Sequence, residues 1–372
     1  MFAAECALLS EHGHFVKQYS VLNDEIRGMA SVQLAAWTIW NGESYRTVRR
    51  LIRDERIDLI HSHNTFPIIS PALYYAAEAE GVPVVQTLHN YRLLCPVATF
   101  FRNGKVCEDC LGLTVPYPAV VHGCYRGSRA ASATVAAMLA SHRMAGTWSG
   151  KVDTYIAVTN FARDKFIEGG LPAGKLTVKP NFLLNDPGPG DGSGGYCLFV
   201  GRLSQEKGLD TLLTAWQELG SRITLKIAGD GPQRETVERR ARTLNGVEYL
   251  GQCEHSLAMD LLKRAALLIF PSEWYEGLPM TVIEAMACGT PVVASEIGSM
   301  KELIAEGLNG VLFPAGSAEG LIKRIEDLLS RPKTLFGMRD STRYHYQTNY
   351  TRAANYQSLQ RIYQGALTRF IR

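Results

Sequence analysis

The chain has 372 residues, more than one hydrophobic core usually organises, so we expect two domains. Charged residues make up 20% of it and apolar or aromatic residues 46%, a composition that suits a globular protein and excludes extensive disorder. The 39 basic and 36 acidic residues nearly balance, which excludes the basic surface of a nucleic-acid-binding protein. No apolar run approaches the ~20 residues of a membrane-spanning helix. Because Met1 is not followed by a leader pattern, we expect a cytoplasmic protein.

Short runs rich in β-branched and aromatic residues predict strands in the first half of the chain. These runs lie at residues 15–21, 58–63, 83–89, 154–159 and 176–181, each beside a stretch with helical spacing. The alternation predicts a Rossmann-like α/β domain over residues 1–184. The following segment, NDPGPGDGSGG (185–195), cannot continue a strand or a helix. It therefore predicts a flexible hinge.

The second half alternates strands and helices more regularly. Strands are predicted at residues 196–201, 223–231, 247–251, 266–272, 291–295 and 310–314. Amphipathic helices are predicted between them at residues 209–219, 233–244, 255–265 and 317–330. The pattern indicates a doubly wound α/β domain over residues 196–345. Two such domains joined by a hinge imply a cleft between them.

Ligands of doubly wound sheets bind beyond the carboxyl ends of the strands, so the residues after each strand are candidate site residues. Arg202 and Lys207 follow the first strand of the second half, in the sequence GRLSQEKG. Two cations beside a helix start suit a diphosphate. Asp230 lies in a tight turn after the next strand.

The stretch SEWYEGLPMTVIEAMACGTPVVAS (272–295) places two carboxylates, Glu276 and Glu284, around a helix start. The backbone N–H groups there would converge on a ligand, and they belong to Gly277, Leu278, Met280 and Thr281. The carboxylates would accept hydrogen bonds from vicinal hydroxyls. The alternative is that both acids only stabilise a helix start.

These motifs together resemble the donor-binding domain of the family 4 glycosyltransferases, which are retaining enzymes of the GT-B fold. The resemblance rests on FVGRLSQEKGLDTLL, IAGDGP, PSEWYEGLPMTVIEAMACGTPVVAS and NGVLFP, which occur in the family's order. It implies two Rossmann-like domains facing across a cleft. It also implies that residues 346–372 form crossover helices that pack back on the N-terminal domain.

The resemblance implies roles for individual residues. Arg202 and Lys207 would hold the donor diphosphate, Glu276 the sugar hydroxyls and Glu284 the ribose. Further donor contacts would come from Gly201, Gly229 and Asp230. His89, in QTLHNYR, resembles the family histidine that reaches the donor sugar, so the expected catalytic residues are His89, Arg202, Lys207 and Glu276.

Other polar residues of the first half leave alternatives open. His61 and His63 either line the cleft or fill a strand end, and Asn181 resembles a cleft-facing asparagine of the family. The chain also opens in a helix where the family has a strand and a glycine-rich loop. If these are missing, the alternative is a catalytically weakened nucleotide-sugar-binding protein.

The implied activity is transfer of a sugar from a UDP- or GDP-sugar to an acceptor hydroxyl, without a catalytic metal. The acceptor would be a polysaccharide, another glycan, a lipid-linked glycan or a small molecule. Paired carboxylates also occur in glycoside hydrolases, but these need no diphosphate site. Nucleotide-sugar epimerases and phosphorylases of the same architecture are further alternatives.

Four of the eight cysteines cluster at Cys95, Cys107, Cys110 and Cys124. One Cys-x-x-Cys pair with two further thiols predicts a structural zinc site, and the alternative is that they are small core residues.

The small-residue helix predicted over residues 126–151 carries basic residues near its ends, which are Arg126, Arg129, His142, Arg143 and Lys151. They would meet an anionic lipid-linked acceptor at the inner face of the membrane, or are simply solvated.

Overall fold

The computed structural model describes residues 1–22, 26, 28–220 and 222–370. The strands are β1 (Ile60–Ser62), β2 (Val84–Leu88), β3 (Phe101–Arg102), β4 (Lys105–Val106), β5 (Thr154–Ala157), β6 (Leu176–Val178), β7 (Tyr196–Val200), β8 (Thr224–Ala228), β9 (Val247–Gly251), β10 (Leu267–Phe270), β11 (Val292–Ser295) and β12 (Gly310–Phe313). The helices are α1 (Phe2–Glu11), α2 (Ser31–Ile39), α3 (Gly42–Glu55), α4 (Ala72–Ala79), α5 (Tyr117–Val121), α6 (Arg129–Met144), α7 (Thr147–Gly150), α8 (Asn160–Glu168), α9 (Leu209–Leu219), α10 (Arg234–Thr243), α11 (His255–Arg264), α12 (Met280–Ala287), α13 (Met300–Leu303), α14 (Ala318–Leu329), α15 (Pro332–Asn349) and α16 (Arg352–Phe370).

The chain divides into two compact units. Unit 1 comprises Met1–Phe100, Cys107–Pro180 and the chain from Asn355 onward. Unit 2 comprises Phe101–Val106 and Asn181–Ala354. Unit 1 is therefore assembled from segments that lie far apart in the sequence.

Unit 1 is built on a parallel sheet with the order β1-β2-β5-β6. The inner strands β2 and β5 are buried along their whole length, as expected for strands covered on both faces. Side chains from α1, β2, β5 and α16 form one hydrophobic cluster, which consists of Leu9, Val85, Ile156, Leu359 and Ala366. Helices α1 and α16 therefore pack on the same sheet.

The strand predicted at residues 15–21 is wrong. These residues form no regular element, and the side chain of Phe15 is 70% exposed. Lys17 forms an exposed ion pair with Glu55 at 2.5 Å. The β-branched and aromatic residues of this run were misleading because its apolar side chains are not buried against a neighbouring strand. The remaining predicted strands of unit 1 are confirmed.

Unit 2 contains a parallel sheet with the order β12-β11-β10-β7-β8-β9. Each of its predicted strands and helices is confirmed to within a few residues. The fully buried Trp216 of α9 lies in its core and donates from Nε1 to the carbonyl of Ile223 at 3.0 Å. Strands β8 and β9 follow β7 toward one edge of the sheet, and strands β11 and β12 follow β10 toward the other edge. The two neighbouring strands β7 and β10 thus define the switch point, where ligands of such sheets bind.

The segment 185–195 lies within unit 2. Gly190, Gly192 and Gly194 each donate a backbone hydrogen bond to carbonyls at the ends of α11 and α12. Arg343 of α15 pairs with Asp186 at 2.5 Å. These contacts anchor the segment to one unit, and its role as a hinge stays a prediction.

The basic residues predicted to meet a membrane are partly engaged inside unit 1. His142 contacts Thr147 Oγ1 and the carbonyl of Ile39, both at 2.9 Å. Arg143 donates to the carbonyl of Leu93 at 2.6 Å. These two side chains therefore hold α6 in place and are not free for lipid. Within the described part of the chain, no helix is long and apolar enough to cross a membrane.

Candidate active site

The loops after β7 and β10 meet at the switch point of unit 2. The first loop contains a short 3-10 turn, Gln205–Lys207, and the second continues to the start of α12. Lys207 Nζ donates to Glu276 Oε1 at 2.6 Å, and the two side chains are 19% and 8% exposed. Two residues singled out from the sequence are thus joined, although they lie 69 positions apart.

Glu276 Oε1 receives two further hydrogen bonds that the sequence analysis missed. Ser272 Oγ and Trp274 Nε1 both donate to this oxygen at 2.7 Å. Ser299 Oγ fixes the backbone by donating to the carbonyl of Glu276 at 2.8 Å. Three donors on one oxygen hold the carboxylate in a single orientation. Ser272 and Trp274 lie in the same motif, but neutral donors carry no charge pattern that would have marked them.

Glycines allow the loops of the site to approach each other closely. Gly229, after β8, has φ +150°, and a Cβ there would lie 1.9 Å from the carbonyl oxygen of Gly201. Gly208, at the start of α9, has φ +69°, and its Cβ would lie 1.9 Å from the carbonyl of Pro271. A side chain at either position would force the loops after β7, β8 and β10 apart.

The other predicted phosphate-binding residues lie on the same edge of the sheet. Arg202 is exposed directly after β7, and it forms no ion pair with any residue that the structure describes. Asp230 accepts the backbone N–H of Gly231 at 2.8 Å and lies 3.9 Å from Arg234. Asp230 therefore shapes its own turn, while Arg202 presents an unpaired positive charge.

The turn before α12 leaves backbone donors available. Pro279 is the N-cap residue, and the helix begins at Met280. The hydrogen bonds within the described chain include none from the amides of four residues, Gly277, Leu278, Met280 and Thr281. Asn181 Nδ2 lies 3.5 Å from the carbonyl of Leu278 and supports the turn from the other side. The arrangement can bind an anion or a polyol.

Glu284 lies one turn into α12 and is half-buried. Burial raises the pKa of its carboxyl above the ordinary value, and the nearby His255 opposes that rise only weakly. The exposed ring of His255 lies beside the carboxylate, with its Nδ1 3.9 Å from Glu284 Oε1. Glu284 is not linked to Glu276 by a hydrogen bond, so the two carboxylates occupy separate parts of the site.

His89 belongs to unit 1, where it follows β2. Its Nε2 lies 2.8 Å from Nδ1 of His63, and the two rings stack with centroids 5.1 Å apart. Both line a small cavity of about 30 Å³ that also exposes Arg92. The guanidinium of Arg92 stacks on Phe66 at 4.3 Å, and within the described residues the cavity has no acidic lining. Polar and apolar side chains both line the cavity, and Arg92 gives it one positive charge.

The predicted zinc site is not supported. All four clustered cysteines are free thiols, and no three of them come close enough to share a metal ion in the described chain. Cys110 is buried and its thiol lies 3.9 Å from the carbonyl of Pro116. Burial raises the pKa of this thiol to about 12, which disfavours the thiolate that zinc requires. Cys95 is likewise buried, whereas Cys107 and Cys124 are half-buried.

Two protein families match the chain in consecutive segments. "Glycosyltransferase Family 4" matches residues 26–183, and "Glycosyl transferases group 1" matches residues 190–345.

Individual proteins agree with this assignment. An uncharacterised glycosyltransferase of Methanocaldococcus jannaschii is 24% identical over 77% of this chain and 70% of its own length. A glycogen synthase of Mycobacterium tuberculosis is 34% identical over 36% of this chain, which spans only 34% of that enzyme.

A solved structure shows the same fold. HepE from Anabaena, in complex with UDP-glucose, has a TM-score of 0.64 with 19% identity, covering 96% of this chain and 88% of HepE. The two family matches together extend over most of both units. The chain therefore belongs to the family 4 glycosyltransferases, with the Rossmann-like domains of the GT-B fold.

Proposed function

We propose that the protein is a retaining hexosyltransferase that transfers a sugar from a nucleoside diphosphate sugar to an acceptor hydroxyl. The observation that carries this proposal is the contact between Lys207 and Glu276 at the switch point of unit 2. It places a cation and a hydrogen-bond acceptor for hydroxyls side by side, as a phosphate joined to a sugar requires.

The donor diphosphate would bind between the loops after β7 and β10. Arg202 and Lys207 would balance its negative charge, and the free amides at the start of α12 would donate to its oxygens. Gly201 and Gly229 keep this region open to a ligand, because neither carries a side chain. Asp230 would act through its turn, which it shapes with its own hydrogen bond.

The two carboxylates would bind the sugars at either end of the diphosphate. Glu276, held by three donors through Oε1, would accept from hydroxyls of the transferred sugar. Glu284 would accept from the ribose hydroxyls deeper along α12. UDP is the favoured nucleotide because the similar HepE was solved with UDP-glucose, and GDP is the alternative.

The acceptor would enter the cavity of unit 1. His63, His89 and Asn64 offer hydrogen-bonding groups there, and Arg92 offers a positive charge. This chemistry fits a glycan hydroxyl on a phosphate-bearing or lipid-linked molecule. A small-molecule acceptor is the alternative.

Catalysis would rest on stabilising the leaving group. As the bond between the anomeric carbon and the phosphate oxygen breaks, negative charge grows on the diphosphate. Arg202, Lys207 and the amides before α12 would stabilise that charge without reorganising. The acceptor oxygen attacks the same face, and its proton passes to the departing phosphate oxygen. The new bond keeps the anomeric configuration, and no catalytic metal enters this scheme.

Calorimetric titration with UDP, GDP and ADP tests the donor site. We expect one nucleotide to bind selectively, and Lys207→Met to weaken it by about 10- to 150-fold, the equivalent of one charge-assisted hydrogen bond. The matched control is Lys226→Met, because Lys226 forms a surface pair with Glu248 at 3.1 Å on the same sheet. Folded protein that binds none of the three would overturn the proposal.

Retention is tested on the product. Incubation with UDP-glucose and a panel of glycan and lipid-linked acceptors should release UDP and form a product with the anomeric configuration of the donor, as measured by proton NMR. An inverted product would refute the retaining mechanism while leaving the transferase assignment intact.

A further inference from the structure

A chain of buried and half-buried polar groups in close contact lies at the carboxyl ends of the strands of unit 1. Lys179, just after β6, donates from Nζ to Glu5 Oε1 at 2.6 Å. Glu5 Oε2 lies 3.2 Å from Nε2 of His63. Nδ1 of His63 in turn lies 2.8 Å from Nε2 of His89. The chain thus leads from a buried ion pair to the histidine that lines the cavity.

The chain is arranged as a hydrogen-bond network and not as a metal site. Ligand atoms of Glu5, His61 and His63 lie within 4.8 Å of one another, close enough for one ion. However, both ring nitrogens of His61 are already bonded, to Tyr363 at 2.7 Å and to Thr87 at 2.8 Å. The ammonium group of Lys179, which is bonded to Glu5, would also repel a cation.

The ion pair determines the charge of the network. Burial alone would raise the pKa of Glu5, but the hydrogen bond with His63 and the charge of Lys179 outweigh it and hold the pKa well below its usual value. Lys179 and Glu5 are 1% and 2% exposed, and their charges cancel.

Both neighbouring histidines are held neutral. Burial lowers the pKa of His61 to about 3 and that of His89 to about 4. The ionisable groups that act on His89 are, in order along the chain, the α-amino group of Met1, Glu5, His63 and Lys179. Only Glu5 among them raises its pKa.

The order of donors then follows from the ionised carboxylate. Glu5 Oε2 can only accept, so a carboxylate oxygen 3.2 Å from Nε2 of His63 favours the tautomer with the proton on Nε2 and a lone pair on Nδ1. That lone pair accepts from Nε2–H of His89. The remaining nitrogen of His89, Nδ1, therefore carries a lone pair.

We propose that Glu5 and His63 are positioning residues that hold His89 in the Nε2–H tautomer, so that its Nδ1 accepts a hydrogen bond from a substrate hydroxyl. The functional part of this inference rests on the proposed transferase activity. The tautomer itself is a property of the free protein. The two parts can therefore fail separately.

The first experiment is NMR of the free protein labelled with 15N histidine, from pH 5 to 8. His89 is assigned from a His89→Gln variant, and buried His142 serves as an internal reference. We expect His89 to be neutral with its proton on Nε2 throughout. A proton on Nδ1, or a doubly protonated ring at pH 7, would overturn the proposal without any variant or substrate.

The second experiment compares Glu5→Gln with a matched control. We expect Glu5→Gln to give His89 a mixture of tautomers. It should also lower kcat roughly 100-fold, the lower end of what a positioned acid or base contributes, with an unchanged KM for the donor. The control is Glu80→Gln, which removes a carboxylate paired with Arg49 and Arg53 elsewhere in unit 1. It should change neither readout.

Folding and function are kept apart in this design. If Glu5→Gln fails to fold, His63→Gln replaces it, because it removes the ring that links Glu5 to His89. An unchanged His89 tautomer in a folded variant refutes the positioning role. The expected tautomer in a protein that transfers no sugar would instead confirm the network and refute the proposed function.

Discussion

The pair formed by Lys207 and Glu276 should be strongly coupled in the folded protein. Coulomb's law gives about 6 kcal/mol for unit charges at their 2.6 Å separation with an effective dielectric constant of 20. The cost of removing both groups from water offsets much of this value. Lys207 is 19% exposed, and Glu276 keeps two neutral donors when Lys207 is removed. We therefore expect the replacement of either side chain to lower the free energy of unfolding by less than breaking a fully buried ion pair does.

The assay is a double-mutant cycle with Lys207→Met, Glu276→Gln and the combined variant. Hydrogen exchange of amides in β7 and β10 reports the free energy of unfolding of unit 2 itself. We expect losses of about 2 kcal/mol for Lys207→Met and about 3 kcal/mol for Glu276→Gln. The combined variant should lose about 2 kcal/mol less than both single changes together. A coupling below about 0.5 kcal/mol would refute the reasoning, because exposed pairs already reach that value.

Glu284→Gln should weaken nucleotide binding about 10- to 150-fold in calorimetry. The pKa of Glu284 is raised, so the affinity of the wild type for the nucleotide should begin to fall at a higher pH than it would with an ordinary glutamate. Glu284→Gln should lose this pH dependence. Identical pH profiles in the two proteins would contradict the assigned role of Glu284. Gly229→Ala should lower the free energy of unfolding of unit 2 by about 3 kcal/mol, because its Cβ would meet the backbone of Gly201. Gly337→Ala, in open space on α15, should not destabilise, and equal effects of the two changes would refute the steric argument. Because the pKa of Glu5 is lowered in the folded protein, its ion pair stabilises the protein fully above the pKa that Glu5 has in the unfolded chain, and this stabilisation is lost as the pH falls below that value. In urea titrations between about pH 4.5 and pH 2, the wild type should therefore lose more free energy of unfolding than Glu5→Gln. Parallel curves for the two proteins would exclude this contribution.

The elements of unit 2 were predictable because local pattern and global fold agree there. Each strand is a short apolar run, and each strand end at the switch point carries charged or glycine-rich residues. Lys207 and Glu276 could be singled out for that reason. Ser272 and Trp274 could not, since their contribution depends on the orientation of side chains around one oxygen.

Unit 1 was less predictable because its important contacts join distant positions. Lys179 and Glu5 are 174 residues apart, and neither lies in a motif that indicates the other. The histidines after β1 and β2 could be named as candidates, but their order in a network depends on the buried carboxylate of α1. The spacing of the clustered cysteines also predicted a zinc site that the structure does not support, because proximity along the chain does not bring four thiols to one point.

Unit 1 is assembled from segments that lie far apart in the chain, which affects the order in which the two units can fold on the ribosome. Helix α16 contributes Leu359 and Ala366 to its core and places Tyr363 against His61, so this unit is incomplete until the chain has emerged as far as that helix. The residues of unit 2 end at Ala354, so all of them are synthesised before the residues that α16 contributes to the core of unit 1. We therefore expect unit 2 to complete its fold first, which is the opposite of the usual order from the amino-terminal domain onward. The histidine network of unit 1 would be the last part of the protein to form.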